Sequence, residues 1–174
     1  MNPLDVISAQ LEALTSQATI REAGLGVLAM QKRRIFEQGL NSSGGQIGKY
    51  STKPTYFNPK DSPVKFTPKG KTGKTEFKDG KPHVTRYFGG GYKEVRQTAG
   101  RRTDKVNFDF TGQLRFSHTI GFNDNRVVLG FDSQREGRKA QSLEKKFGPV
   151  FALSEEEREA FGRFLINKAF NVST

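Results

Sequence analysis

The chain contains no cysteine. Disulfide frameworks and thiolate metal sites are therefore excluded, although the absence says little about compartment, because a reducing cytoplasm permits cysteine without requiring it. Long hydrophobic runs are missing too: none approaches the ~20 residues of a membrane span. The opening MNPLDVISAQ has neither a basic flank nor an apolar centre, so no secretory signal is expected and the protein is expected to act without crossing a membrane. Histidine is scarce. His83 and His118 are the two in the chain, and neither has a second histidine or an acidic pair beside it at ligand spacing, so no metal is expected. Hydrophobic residues make up 33% of 174, lean for a chain long enough to build one domain, which implies a modest core carrying a large polar excursion.

What the chain does have is positive charge, unevenly placed. The net charge is +11. Residues 1–48 are neutral in sum, residues 49–102 hold fourteen basic against four acidic side chains, and residues 103–174 hold eleven against ten. Charge concentrated in one segment steers it toward a polyanion or an acidic protein surface. Within it, Lys69, Lys71, Lys74, Lys78 and Lys81 fall inside thirteen residues, with Arg96, Arg101 and Arg102 farther on and aromatic residues interleaved. These eight are the candidate partner- or DNA-facing cations. Lysine outnumbers arginine in the 69–81 run, which suits diffuse electrostatics better than bidentate base reading, so sequence-specific DNA recognition is not expected.

The same segment contains PKGKTGKTEF, whose Gly73-Lys74-Thr75 spells the tail of a phosphate-binding loop. Spacing removes that reading. The loop needs a glycine, four residues, then Gly-Lys-Ser/Thr, and the required first glycine falls on Pro68; starting from Gly70 leaves the loop two residues short. The lead-in SPVKFTPK holds two prolines and the run-out EFKDGKPH is broken by Gly80 and Pro82, so neither the strand nor the helix of such a site is expected. A Lys/Gly/Thr-rich surface loop is the expectation. Elsewhere, Asp109, Asp124 and Asp132 show no spacing that argues for acid–base work, and Ser117 and His118 are adjacent in sequence, which is not a nucleophile–base geometry by itself. A non-enzyme with no cofactor is expected.

Periodicity predicts an α+β chain. Asn2 and Pro3 open a helix whose stripe is Leu4, Ile7, Leu11, Leu14 and Ala18, continuing through Leu25, Leu28, Ile35 and Phe36 with a break expected at Gly24 and Gly26, and stopping at Gly39. Residues 41–83 read as loop. HVTRYF and YKEVRQT read as a hairpin turning at Gly89-Gly90-Gly91. VNFDF alternates like a strand. Thr111 caps a short helix, GQLRFSH, that faces Leu114, with Phe116 or His118, inward. HTIGF and RVVLGF read as antiparallel strands. GRKAQSLEKKFG is helical and stops at Gly148. Ser154 with Glu157 forms a capping box for a last helix bearing Phe161, Phe164 and Leu165. The expected architecture is a single α+β domain over 1–174: N-terminal helices, a small antiparallel sheet with a short inserted helix, C-terminal helices, and a long basic loop and hairpin excursion at about 52–102.

FDFTGQLRFSHTIGFNDNRVVLGF followed by AQSLEKKFGPVFALSEEE resembles the tail-completion, or head–tail joining, proteins of the tailed-bacteriophage neck. That family shows a Leu-Thr-Gly-x-Leu-Arg-x-Ser-like segment, a Val-x-Ile-Gly-like strand, and a helix ending in Phe-Gly. The matching positions are Thr111, Gly112, Leu114, Arg115 and Ser117; then Val127, Val128, Leu129 and Gly130; then Phe147 and Gly148. RRIFEQGLNSSGGQIGKYS resembles the family's helix and glycine loop. A Trp-x-Pro-Leu-like stretch usually follows that loop; this chain has no tryptophan and reads Ile47-Gly48-Lys49-Tyr50, with Tyr50 in the aromatic place. The likeness spans about 30–50 and 106–157 and leaves 52–102 outside it. The resemblance implies a virion structural protein, made in the host cytoplasm and placed at the neck or head-proximal tail end. It implies a homo-oligomeric ring, commonly sixfold; the basic excursion is then expected to dock on neighbouring neck and tail proteins, and its charge also suits the lining of a channel through which DNA passes. The alternative reading is a nucleic-acid-binding module using the basic segment 60–102, without sequence specificity.

Overall fold

The structure, a computed structural model, describes residues 3–58, 72–78, 81–123 and 126–170. Helices and two small antiparallel sheets make an α+β fold, as the periodicity predicts. The elements are α1 (Pro3–Thr15), α2 (Gln17–Lys32) running into a π-helical turn (Arg33–Gln38), β1 (Thr55–Phe57), β2 (Thr72–Lys78), β3 (Lys81–Phe88), α3 (Gly91–Thr98), α4 (Gln113–Ser117), β4 (His118–Asn123), β5 (Arg126–Phe131), α5 (Gln134–Phe147) and α6 (Glu155–Phe170).

The first helix breaks at Ser16, not at Gly24 and Gly26. Thr15 Oγ1 bonds back to the Leu11 carbonyl at 2.9 Å, and Ser16, in extended conformation, accepts the Thr19 N–H at 3.2 Å and starts α2 afresh. Gly24 continues the helix because α2 crosses the β4–β5 hairpin there. A Cβ at this position would meet Ile120 and stand 2.9 Å from Val127 Cγ1. The glycine serves close approach, and packing overrides its low propensity. Gly39 ends the π-helical turn at φ 71, as expected of a helix-stopping glycine.

Three further expectations fail, each for a local reason. YKEVRQT is not a return strand but α3. Over seven residues both periods fit, and the helix wins because Glu94 Oε2 reaches back to the Gly90 N–H at 2.8 Å while Val95 and Arg96 turn inward together. The partner of HVTRYF is instead β2, and β3 lies between β1 and β2, antiparallel to both. The stretch 41–83 is thus interrupted by strands β1 and β2 and by the start of β3. VNFDF is no strand either: Phe108 sits at φ 52, which turns the chain, and the backbone around it bonds to side chains instead of a ladder.

β4 and β5 pair in register, His118 opposite Phe131 and Asn123 opposite Arg126; the turn residue Asp124 lies outside the described residues. The main core gathers Ile35, Phe36, Ile47, Val106, Leu114, Ala140 and Val150, with Phe108, Phe131, Leu143, Phe147 and Phe151 packed against it. α6 lies along α2, and α1 lies on both. The capping box is present: Glu157 N–H donates to Ser154 Oγ at 3.2 Å and Ser154 N–H to Glu157 Oε2 at 2.9 Å. Glu157 is buried and also holds Arg34, whose Nε donates to Oε1 at 2.7 Å and whose remaining nitrogens donate to the Leu40, Val150 and Ala152 carbonyls. One ion pair therefore ties the π-helical turn that follows α2 to the start of α6.

Candidate functional site

A cleft of about 900 Å³ lies between α5 and the irregular segment 106–111, closed at one end by Tyr50 and Tyr92. Its floor is core residues seen from outside: Val106, Phe108, Leu114, Leu143 and Phe147. Its rim is cationic. Lys49 stands on one side and Arg135, Arg138, Lys139 and Lys146 on α5 form the other. Lys139 pairs with Glu136 at 2.6 Å, and Lys146 lies 5.2 Å from the Phe147 ring centre. Among the described residues no ion pair reaches Lys49, Arg135 or Arg138. Glu136 is itself buried, and its Oε2 has no hydrogen-bond partner among the described residues.

The cleft end is built around Arg96. Only 1% of this residue is exposed, which corrects its expected role as a partner-facing cation. The α3 helix aims its guanidinium inward over the Tyr50 ring at 4.3 Å. Nη2 donates to Asn107 Oδ1 and to the Asp109 carbonyl, both at 3.1 Å, and Nε donates to the Arg102 carbonyl at 2.9 Å. Tyr50 O–H donates to the same Asn107 oxygen at 3.1 Å and accepts the Asn107 N–H. A buried cation is tolerable only when its hydrogen bonds are satisfied, and here it organises segment 102–110. Burial pushes the phenols of Tyr50 and Tyr92 above their ordinary range, more than the Arg96 charge beside them pulls them down. Phe57, Tyr92 and Phe110 complete an aromatic cluster with ring centres 6.0 to 6.4 Å apart.

The other expected cations divide. Lys69 and Lys71 lie outside the described residues. Lys74 and Lys78 are on β2 and Lys81 opens β3, with Lys78 opposite Lys81 in the register. Gly73-Lys74-Thr75 therefore belongs to a strand, with Thr75 opposite Val84 and an irregular register between Thr72 and Thr75, and not to a loop between a strand and a helix, so these residues do not form the backbone wrap of a phosphate loop; the rest of the expected loop, 68–71, lies outside the described residues. Arg101 is half-buried, with its Nε enclosed and unpaired among the described residues. Arg102 is exposed and bonded to Asp104 at 2.7 Å.

The residues named for the family resemblance are mostly structural, Val128 on β5 being the exposed exception. Thr111 Oγ1 accepts the Gln113 N–H at 3.3 Å. Gly112 is left-handed at φ 82, and a Cβ there would lie 2.9 Å from the Phe116 ring. Leu114 enters the core while Phe116 is 80% exposed, so of the two inward candidates beside Leu114 the structure selects His118. Arg115 pairs with Glu37 at 2.7 Å. Ser117 is buried and its carbonyl accepts the Asp132 N–H at 2.9 Å. Gly130 pairs with Thr119 in the hairpin. Phe147 packs 5.4 Å from Phe108, and Gly148 stops α5 at φ 79.

Ser117 and His118 make no dyad. Ser117 Oγ and His118 Nδ1 are both buried without a hydrogen-bond partner among the described residues, so neither serves the other. His118 is enclosed by Phe36, Phe131 and Phe151, and burial, with the Lys32 and Arg34 charges, lowers its pKa to about 4. Among the described residues no group of three or more His, Cys, Asp or Glu side chains gathers as a metal site, and no helix is long and apolar enough to cross a membrane.

The rim cations on α5 were missed by sequence reasoning because the central charge run drew attention away from them. A signal existed. Arg135, Arg138, Lys139 and Lys146 share helical spacing with Leu143 and Phe147, which makes one face both basic and apolar. Compared with family models, curated proteins and solved structures, the chain matches none of them.

Proposed function

We propose that the protein is an assembly subunit: a non-enzymatic virion structural protein of a tailed bacteriophage, acting in tail completion or head–tail joining as a homo-oligomeric ring that docks on neighbouring neck and tail proteins. The observation that carries this reading is the face of α1. Its apolar stripe is laid out for burial, yet Ile7 is 52% and Leu11 57% exposed, and α6, against which α1 packs, leaves Ile166 and Phe170 exposed beyond it. Covering the exposed half of each such side chain is worth roughly 1 kcal/mol, so the stripe favours association over solvent. The motif likeness across segments 30–50 and 106–157 supplies the phage assignment. Immunogold electron microscopy of phage particles, with antibody to this protein, tests it. Label at the neck or tail end supports the reading; unlabelled particles with the protein left in the soluble fraction overturn it.

One observation favours a second reading. Tyr56 and Tyr87 sit opposite each other on β1 and β3, ring centres 5.4 Å apart and partly in solvent, in the same sheet as the strands bearing Lys74, Lys78 and Lys81. Exposed aromatic rings beside a basic hairpin suit single-stranded nucleic acid. Binding should then weaken steeply with salt as counterions are released, and Tyr87→Ala should weaken it further. Salt-insensitive binding, or none at low salt, removes this reading.

A further inference from the structure

The assembly reading leaves open which surfaces meet. We propose that α1 of one copy seats in the α5 cleft of a second copy, an inference that rests on the homo-oligomeric reading above and names its interface.

The two surfaces are complementary in charge. α1, PLDVISAQLEALT, carries Asp5 and Glu12 and no basic residue. The cleft rim carries Lys49, Arg135, Arg138 and Lys146, while the acid at its wall, Glu136, is already paired with Lys139. Asp5 and Glu12 are exposed and two turns apart, so they share one side of α1, which is turned away from the Ile7–Leu11 face. With Ile7 and Leu11 turned into the cleft, the two acids face its mouth, and the cationic rim attracts the helix through its net negative charge without contact ion pairs.

Shape and size agree. Ile7 and Leu11 are four residues apart on one face, the spacing of anchors for a helix laid in a groove. The floor they would reach is Phe108, Leu143 and Phe147, apolar side chains already packed on the core. α1 has 13 residues and α5, which forms the long wall of the cleft, has 14, so both run for roughly 20 Å. The cleft of about 900 Å³ has room for two aliphatic side chains together with the helix backbone edge that carries them.

Topology makes the contact heterologous. Within one copy α1 lies on α2 and α6, and neither of those helices contributes a residue to the cleft. The donor and acceptor faces therefore share no residue. Each copy offers one of each, and such a contact propagates from copy to copy until it closes as a ring or continues as a filament. The basic segment of the chain itself is a poor occupant, since like charge would meet the rim.

Two variants of the full chain test this: Ile7→Asp with Leu11→Asp, which spoils the helix face, and Arg138→Glu with Lys146→Glu, which spoils the rim. All four positions are exposed, so both variants should keep the wild-type far-ultraviolet circular dichroism. Sedimentation velocity should show the wild type assembling beyond a monomer and each variant alone associating at least tenfold more weakly. A one-to-one mixture should recover a species of two copies, because the rim variant supplies an intact α1 and the helix variant an intact cleft. Variants that assemble alone like the wild type, or a mixture that stays monomeric, overturn the α1-in-cleft contact and leave homo-assembly standing. A wild type that is monomeric at every concentration overturns both.

Discussion

His118 stacks on Phe131 with ring centres 5.0 Å apart and meets Phe36 and Phe151 edge-on, so its imidazole is buried neutral. Its pKa is lowered from 6.5 to about 4, first by burial and then by the Lys32 and Arg34 charges. The unfolded chain takes up this proton near pH 6.5, and the folded chain only near pH 4. Stability from this residue is therefore complete above pH 6.5 and declines as pH falls toward 4, by about 3 kcal/mol in all. Urea unfolding across that window should show the decline, and His118→Phe should flatten it by that amount. An unchanged slope in the variant would locate the proton uptake elsewhere. The Arg34–Glu157 pair makes a second prediction at this scale. Glu157→Ala strands a buried guanidinium and leaves the Ser154 N–H without its carboxylate acceptor, while Ser154 still caps α6, so it should destabilise by about 3–5 kcal/mol in denaturant titration. A loss below about 1 kcal/mol would mean that the pair is solvated. Half of this arrangement was legible in the sequence. Ser154 and Glu157 announce a capping box by their spacing, whereas Arg34 lies 123 residues away and no local pattern connects them. Arg96 was misread for the same reason. In sequence it is one cation among many, and only the fold surrounds it with Tyr50, Asn107 and Asp109.

Among the elements, long periodic segments were legible and short ones were not. α5, α6 and the β4–β5 hairpin have enough turns or alternations to declare themselves, and Gly39 and Gly148 stop helices where left-handed glycines should. YKEVRQT and VNFDF are too short for period to decide. A Glu94 contact made one into a helix, and a positive φ at Phe108 with side-chain bonds from Arg96 and Asn107 removed the other from any sheet. Gly24 and Gly26 show how packing reverses a propensity argument. Both weaken α2 in isolation. A Cβ on Gly26 meets nothing within 4 Å, so Gly26→Ala should stabilise by about 0.5–1 kcal/mol. A Cβ on Gly24 would crowd Ile120 and stand 2.9 Å from Val127, so Gly24→Ala should destabilise despite the same gain in propensity. Melting temperatures of the two variants should move in opposite directions. Movement of both upward would show that the β4–β5 hairpin yields easily to α2.

For the whole molecule, the basic segment stands beside the main core cluster and buries Phe88 and Val95 of its own. The buried cluster that joins the π-helical turn, α4 and α5 draws on residues before 48 and after 105, while the segment between supplies the three-stranded sheet and α3. Composition indicated this division, since charge concentrates where the apolar periodicity fails. It did not indicate the sheet, because β2 is a Lys/Thr/Gly strand with a register irregularity between Thr72 and Thr75 and without apolar alternation. β3 begins at Lys81, so the cut that spares the body replaces residues 60–80 and leaves the β1–β3 pairing from Thr55 opposite Phe88 to Phe57 opposite Arg86. That replacement by a Gly/Ser linker removes six lysines and three acidic residues and lowers the net charge by three. Loss of one edge strand should reduce the melting temperature by about 5 °C while the helical circular dichroism persists. If the segment docks on neighbouring neck and tail proteins, this folded variant should fail to complement joining of heads to tails, yet still assemble with itself through α1 and the cleft. If the segment serves nucleic acid instead, joining should proceed and the salt dependence of single-strand binding should become shallower, because fewer phosphates are neutralised. An unfolded variant would contradict both, since it would make the hairpin part of what holds the core together.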